Sequence, residues 1–269
     1  MIAAMLPSVI RLAALASLAL APVLAAAAPS VFLEDLTWTE LAAAIASGST
    51  TAIVPVGGTE QSGPHMALGK HNARARRLAG RIAGELGNAI VAPVVAYVPE
   101  GSIDPPSGHM RFPGTISVPV ATFEQTLASA ARSLKRAGFR DVVFLGDHGG
   151  YQASLESVAM RLNREWVGTP ARAHAVVEYY RATETIYRKA LAARGHSEAE
   201  IGSHAGLADT SLSLAVDPSL VRTDRLKDAP RAADGTRGDP RASTPELGRL
   251  GVNAIVAATV EAIRKATRR

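Results

Sequence analysis

Apolar and polar positions divide this chain into two kinds of segment. Compact runs of Val, Ile, Ala and Leu occupy residues 51–56, 89–98, 141–145 and 171–177. Their length and β-branched content predict buried strands, and a shorter run at 116–120 predicts another. Between them, apolar residues recur at three- and four-residue spacing. Phe123, Leu127, Ala130, Ala131 and Leu134 form such a stripe in a helix predicted over 122–137 and closed by Gly138. Thr37 is a predicted N-cap for a helix over 38–47 that ends at Gly48, and a helix over 72–86 ends at Gly87. Further helices are expected at 152–166, at 178–194 with a break, at 212–215, and at 247–266. The segment 227–245 is rich in Arg, Asp, Gly and Pro and reads as irregular. Strands alternate with helices and no internal repeat occurs, which predicts one α/β domain with a largely parallel sheet.

The N-terminus has its own pattern. Arg11 precedes a short apolar core over 12–21, Pro22 follows, and Ala25-Ala26-Ala27 supplies an A-x-A cleavage pattern. Residues 1–27 are therefore expected to be a secretory signal peptide, leaving residues 28–269 as the mature domain in the periplasm or outside the cell. The apolar core is shorter than the roughly 20 residues of a membrane span. No second long apolar stretch follows, so no membrane partner is expected after cleavage.

Composition narrows the chemistry. The chain has 269 residues, 47% of them hydrophobic but only 4% aromatic, so its core must be built mainly from aliphatic side chains. The formal charge of +5 falls by one, to +4, when Arg11 is removed. The basic residues are scattered. Arg74, Arg76, Arg77 and Arg81 stand at helical spacing and read as a solvated helix face. No aromatic-basic platform accompanies them, so no nucleic-acid partner is expected. The absence of cysteine excludes disulfides, a thiolate nucleophile and thiolate-bound zinc.

The candidate chemistry lies where predicted strands end. Glu60, His65 and His71 follow the first strand, in a loop holding several Gly and Pro residues. His148 follows the strand at 141–145, and His204 and Asp209 open a later helix. Open α/β sheets place ligands at the carboxyl ends of their strands, so residues far apart in sequence are able to converge there. Carboxylates and imidazoles are ligands of zinc and related divalent metals.

These residues carry a resemblance. The run from Pro55 to His65 resembles the creatininase (creatinine amidohydrolase) motif P-x-G-S-x-E-Q-H-G-P-H. Gly108 to Ser117 is similar to the family block H-x-x-F-P-G-T-I-S, Gly146 to Tyr151 to N-G-H-G-G-N, and His204 to Ser211 to H-A-G-E-x-E-T-S. Four blocks stand in family order. The resemblance implies a three-layer α/β/α fold, a divalent-metal hydrolase of amide bonds, and a homo-oligomer, commonly a hexamer.

Against the two-metal pattern that the resemblance implies, this chain departs at named positions. A family histidine is Ser62, the bridging aspartate is His71, a glutamate after the H-G-G histidine is Gly150, and the two glutamates of the last block are Leu207 and Asp209. What remains is one complete ligand set, Glu60, His71 and His148. The expectation is one Zn2+, with Mn2+ or Fe2+ as alternatives, that activates water for attack on an amide carbonyl. Asp209 or His204 would shuttle the proton. His65 and His109 are candidates for substrate contact, as is Asp147, which is also placed to orient an imidazole. The expected partner is a small molecule. Creatinine itself is disfavoured, because Ile201, Gly202 and Ser203 stand where aromatic lid residues would be expected. The competing readings are a lactone or ester hydrolase on the same site, and a non-catalytic binding protein that kept the fold.

Overall fold

The computed structural model describes residues 30–227 and 232–268. The expected signal segment, residues 1–27, lies outside the described residues, as does part of the irregular segment 227–245. Among the described residues, no helix is long and apolar enough to cross a membrane.

Four strands form one fully parallel sheet. They are β1 (Thr51–Val56), β2 (Ala89–Val91), β3 (Asp141–Gly146) and β4 (Arg172–Ala175), in the order β2-β1-β3-β4. Alternate side chains of the central strands point to opposite faces, as the two-residue period of a strand requires. Ile53, Val143 and Leu145 enter one core with Leu78, Ile82, Val252, Ile255 and Val256. Ala52, Val54, Val142 and Phe144 enter the other with Phe123, Leu127, Leu155, Val158 and Leu162. The helices behind those residues are α2 (Lys70–Leu86) and α9 (Pro245–Thr267) on one face, with α3 (Val120–Ala137) and α4 (Gln152–Glu165) on the other. The result is the three-layer α/β/α sandwich.

Several predicted boundaries are confirmed by local chemistry. Thr37 caps α1 (Trp38–Ala46) in a capping box with Glu40, and α2 and α3 end at Gly87 and Gly138, both with positive φ. Others move. The predicted strand 89–98 stops at Val91, because Pro93 has no N–H to donate to a ladder; beyond it only an isolated bridge joins Val56 to Val95. No strand forms at 116–120. Ile116 makes one antiparallel bridge with Thr59, and α3 begins at Val120. The break expected in 178–194 is a π-helical turn at Thr183–Tyr187, between α5 (Glu178–Ala182) and α6 (Arg188–Ala192). A short helix α7 (Glu198–Ile201), capped by Ser197, had no counterpart in the sequence reading.

Two shifts matter for the site. Helix α2 starts two residues before the predicted boundary, which puts Lys70 and His71 in its first turn. Helix α8 (Leu207–Val216) starts five residues early, so Asp209 also lies in a first turn. The sheet places both near the C-terminal ends of β1 and β3. These strands are neighbours in register, Val56 opposite Gly146, and the chain departs to opposite sides of β1 on its way to β2 and β3. A crevice of this kind is where open α/β sheets bind ligands.

Candidate metal centre

Glu60 is the hub. Its side chain is fully buried, and its two oxygens have different neighbours. Oε1 lies 2.8 Å from His71 Nε2, 3.7 Å from His204 Nδ1 and 3.8 Å from Lys70 Nζ. Oε2 lies 3.2 Å from His109 Nε2 and 3.7 Å from His148 Nε2, and has no hydrogen-bond partner. Burial alone would raise the Glu60 pKa, but the His71 hydrogen bond and the nearby charges of His71 and Lys70 outweigh it and hold the carboxylate ionised. A buried anionic oxygen without a donor is costly. Donors on one tetrahedral ion stand roughly 3.4 Å apart, given metal–ligand bonds of about 2.0–2.2 Å. The separations around Oε2 are of that order.

The imidazoles suit the same purpose. Burial, followed by the charge of His71, lowers the His148 pKa to about 3, and burial followed by Lys70 lowers that of His204 to about 4. Both rings are therefore neutral, the form that ligates metal. Two donor sets, Glu60/His71/His148 and Glu60/His109/His204, each bring their ligand atoms within 4.8 Å of one another. The first is the set expected from the sequence.

The Gln61 amide separates the two sets. Its Oε1 accepts from Gly63 N–H at 3.0 Å and its Nε2 donates to Gly235 O at 3.3 Å, which fixes which way the amide points. Nε2 then donates to His109 Nδ1 at 2.8 Å. That bond leaves the His109 proton on Nε2, 3.2 Å from Glu60 Oε2 but without a hydrogen bond to it, so His109 presents a proton there rather than a ligating lone pair. His204 Nε2 donates to Gln61 O at 2.9 Å, which leaves its Nδ1 as a free lone pair turned toward Glu60. Ala205, with φ +54°, adopts a left-handed conformation rare for a residue with a Cβ and makes the turn between His204 and α8.

Behind His71 lies a buried charge network. His71 Nδ1 meets Asp147 Oδ1 at 2.9 Å, and the same oxygen accepts from Arg74 Nη2 at 2.6 Å. Tyr179 donates to the other Asp147 oxygen at 3.2 Å. Arg74 Nη1 also donates to Asp209 Oδ1 at 2.5 Å, and Asp209 Oδ2 accepts from Lys70 Nζ and from Ala205 N–H. Asp147 is buried here and pairs with His71, which is the imidazole-orienting role expected of it. His65 is also buried, and its Nε2 pairs with Thr210 Oγ1 at 3.0 Å.

Four participants escaped the sequence reading. Arg74 leaves the predicted solvated face and is buried, while Arg76, Arg77 and Arg81 stay outward, Arg76 and Arg77 at 42% and 57% side-chain exposure. Arg74 is on the His71 side of α2 because residues three apart share a helix face. Lys70, just beyond the first motif, has no role that the motif assigns, and Gln61 matches the family motif without a role of its own. Glu100, from the long loop 99–115, is buried with both carboxylate oxygens unpartnered, and Oε2 lies 3.8 Å from His148 Nδ1. Burial and the facing Glu60 push its pKa up to about 9.

The creatininase family model, described as creatinine amidohydrolase, matches residues 34–263. The chain belongs to the creatininase family. It is 30% identical over 259 residues to the creatinine amidohydrolase of Pseudomonas putida, covering 88% of this chain and 97% of that protein. It is 31% identical over 214 residues to the mycofactocin precursor peptide peptidase of Mycolicibacterium smegmatis, covering 74% and 73%. Among solved structures, a creatininase in its manganese form superposes with a TM-score of 0.73 at 28% identity, over 89% of this chain and all of that one. A zinc–zinc form of a creatininase mutant gives 0.75 at 28% identity, over 89% and 99%. This creatininase-family chain is thus an enzyme of the metal-dependent amidohydrolase class with the family's α/β sandwich.

Proposed function

We propose that this creatininase-family enzyme hydrolyses the C–N bond of a cyclic or small amide in the periplasm or outside the cell, using one divalent ion held by Glu60, His71 and His148. Zinc is the first choice, with manganese or iron as alternatives. The observation that carries the reading is Glu60 Oε2, a buried anionic oxygen with no hydrogen-bond partner and two imidazole nitrogens beside it. The names of two relatives, an amidohydrolase and a peptidase, both denote cleavage of amide C–N bonds.

When bound, the ion supplies a water of lowered pKa and polarises the scissile carbonyl. The chain's own residues provide the rest. Asp147, itself held by Arg74, fixes the His71 ring, as carboxylate partners of ligating histidines commonly do. His204 offers the free Nδ1 lone pair, placed to take a proton from the attacking water and return it to the leaving nitrogen. Asp209 is less suited to that task, since Lys70, Arg74 and the Ala205 N–H already hold its oxygens. A single ion is favoured because the buried Lys70 ammonium stands 3.8 Å from Glu60 Oε1, where a second cation would be repelled. The pattern of residues 1–27 supports export. A homohexamer belongs to this reading through the family resemblance, and sedimentation tests it.

The deciding experiment measures metal content after purification without chelator, then activity on cyclic amides, linear amides and lactones. One ion per chain with chelator-sensitive amidase activity is expected. Two tightly held ions would defeat the single-ion reading, and turnover of lactones alone would favour the ester-type enzyme. No bound metal and no turnover would favour a binding protein.

A further inference from the structure

Glu100 belongs to the loop 99–115, whose length set it apart in the sequence and which the proposed mechanism leaves partly unused. Two hydrogen bonds hold it in place. Glu100 N–H donates to Ser117 Oγ at 3.0 Å, and that hydroxyl donates to Gly101 O at 2.8 Å. The residue is 6% exposed and its side chain fully buried. Despite that, neither carboxylate oxygen has a hydrogen-bond partner.

The space for this carboxylate is built into the backbone. A Cβ at Gly58 would lie 2.6 Å from Glu100 Oε1, and Gly58 has φ +150°, so a glycine both permits the turn and leaves room for the acid. Glu100 Oε2 approaches the Nδ1 edge of His148 at 3.8 Å. A Cβ at Gly150 would meet that same edge, 3.2 Å from Nδ1. Glycine stands there although the family resemblance led to the expectation of a glutamate. Three buried carboxylate oxygens, two from Glu100 and one from Glu60, are thus left without donors around His148. Two carboxyl groups that face each other in a buried site need either a shared proton or a cation between them.

We propose that Glu100 is a further ligand of the metal centre, a second carboxylate brought in by the loop 99–115 to the ion that Glu60 and His148 hold. The proposal rests on the metal-site reading above. A cation gives the confronting carboxylates the opposite charge they lack, and Glu100 restores anionic charge lost at position 150 from a different part of the chain. The loop 99–115 is then tied to metal occupancy as well as to the shape of the pocket.

The test uses full-length mature protein carrying Glu100→Gln, whose amide keeps the shape of the side chain and is able to donate to Glu60. Zn2+ affinity is measured by chelator competition, and the visible ligand-field spectrum is recorded for the Co2+-loaded form. The expected result is at least a tenfold loss of Zn2+ affinity together with a shift of the Co2+ bands, while the metal-free protein melts as the unmutated protein does. Glu100→Asp, which keeps the charge on a shorter side chain, is expected to lose less affinity than Glu100→Gln, and it carries the test if the glutamine variant fails to fold. Unchanged affinity and spectrum would overturn the proposal. So would weakened affinity with an unchanged spectrum, which would mean that Glu100 acts through His148. If the unmutated protein binds no metal, the metal-site reading itself has failed, a result separate from either of these.

Discussion

His71 Nδ1 and Asp147 Oδ1 stand 2.9 Å apart, and the contact joins the first turn of α2 to the end of β3. It also draws the buried Arg74 into the same oxygen at 2.6 Å. Asp147 therefore has two jobs, aiming an imidazole and neutralising a buried guanidinium. Asp147→Ala is expected to destabilise the fold by about 3–5 kcal/mol, the usual cost of stranding one member of a buried ion pair. Asp147→Asn is expected to fold better and to bind Zn2+ about 10–100-fold more weakly. Urea unfolding and chelator competition measure the two effects. Equal stability of the alanine variant and the parent would remove Asp147 from the network.

Acid should weaken this protein through Asp209. Burial alone would raise its pKa, but Lys70 and then Arg74 outweigh burial and hold it well below 3.8. A carboxylate with a lowered folded-state pKa contributes stability above its unfolded value and loses it as pH falls below that value. The melting temperature of the metal-free protein is therefore expected to drop as pH is lowered from 5 toward 3. Asp209→Asn should melt lower at pH 7 and show a flatter decline over that range. A parallel decline in parent and variant would assign the acid sensitivity elsewhere.

Tyr151 ties the two central strand ends together. Its hydroxyl lies 2.8 Å from Val56 O and 2.6 Å from Gly57 O, and it accepts from His148 N–H at 3.1 Å. Phenylalanine at this position would keep the ring packing and strand these buried backbone groups. The expected cost is about 1–3 kcal/mol, together with weaker metal binding because the His148 backbone loses an anchor. Thermal melts with and without Zn2+ read both.

Helices α8 and α9 pack through a glycine. A Cβ at Gly248 would lie 1.8 Å from Ser211 O, and one at Gly251 would lie 2.8 Å from the Tyr187 ring. Gly248→Ala must push the helices apart, and a loss of about 1–3 kcal/mol is expected from such overpacking. Since α8 carries Asp209, activity should fall along with stability. An alanine variant as stable as the parent would show that the α8–α9 contact is more yielding than its geometry implies.

The fold was legible because its signals are local. Apolar runs, a Thr37 capping box and glycine stops at Gly87 and Gly138 need only a few neighbouring residues to act. Misplaced elements arose where one residue overrode a pattern, as at Pro93, or where pairing rather than propensity decides a strand, as at Ile116. The hub of the site was legible too, because Glu60, His71 and His148 stand just after strands or at a helix start and carry ligand chemistry.

The sequence alone determined the layer architecture and the family, and it singled out Glu60, His71 and His148, whose ligand atoms the fold brings within 4.8 Å of one another. It could not determine which strands are neighbours, because pairing β1 with β3 depends on how helices close over both faces of the sheet. That pairing brought Asp147 behind His71, turned Arg74 inward from an apparently solvated stripe, and set Lys70 between Glu60 and Asp209. It also laid loop 99–115 against β1, so that Glu100, forty residues along the chain from Glu60, became its buried neighbour. Charge in a folded interior is governed by distance through space and by exclusion of water, and neither can be read from position along the chain.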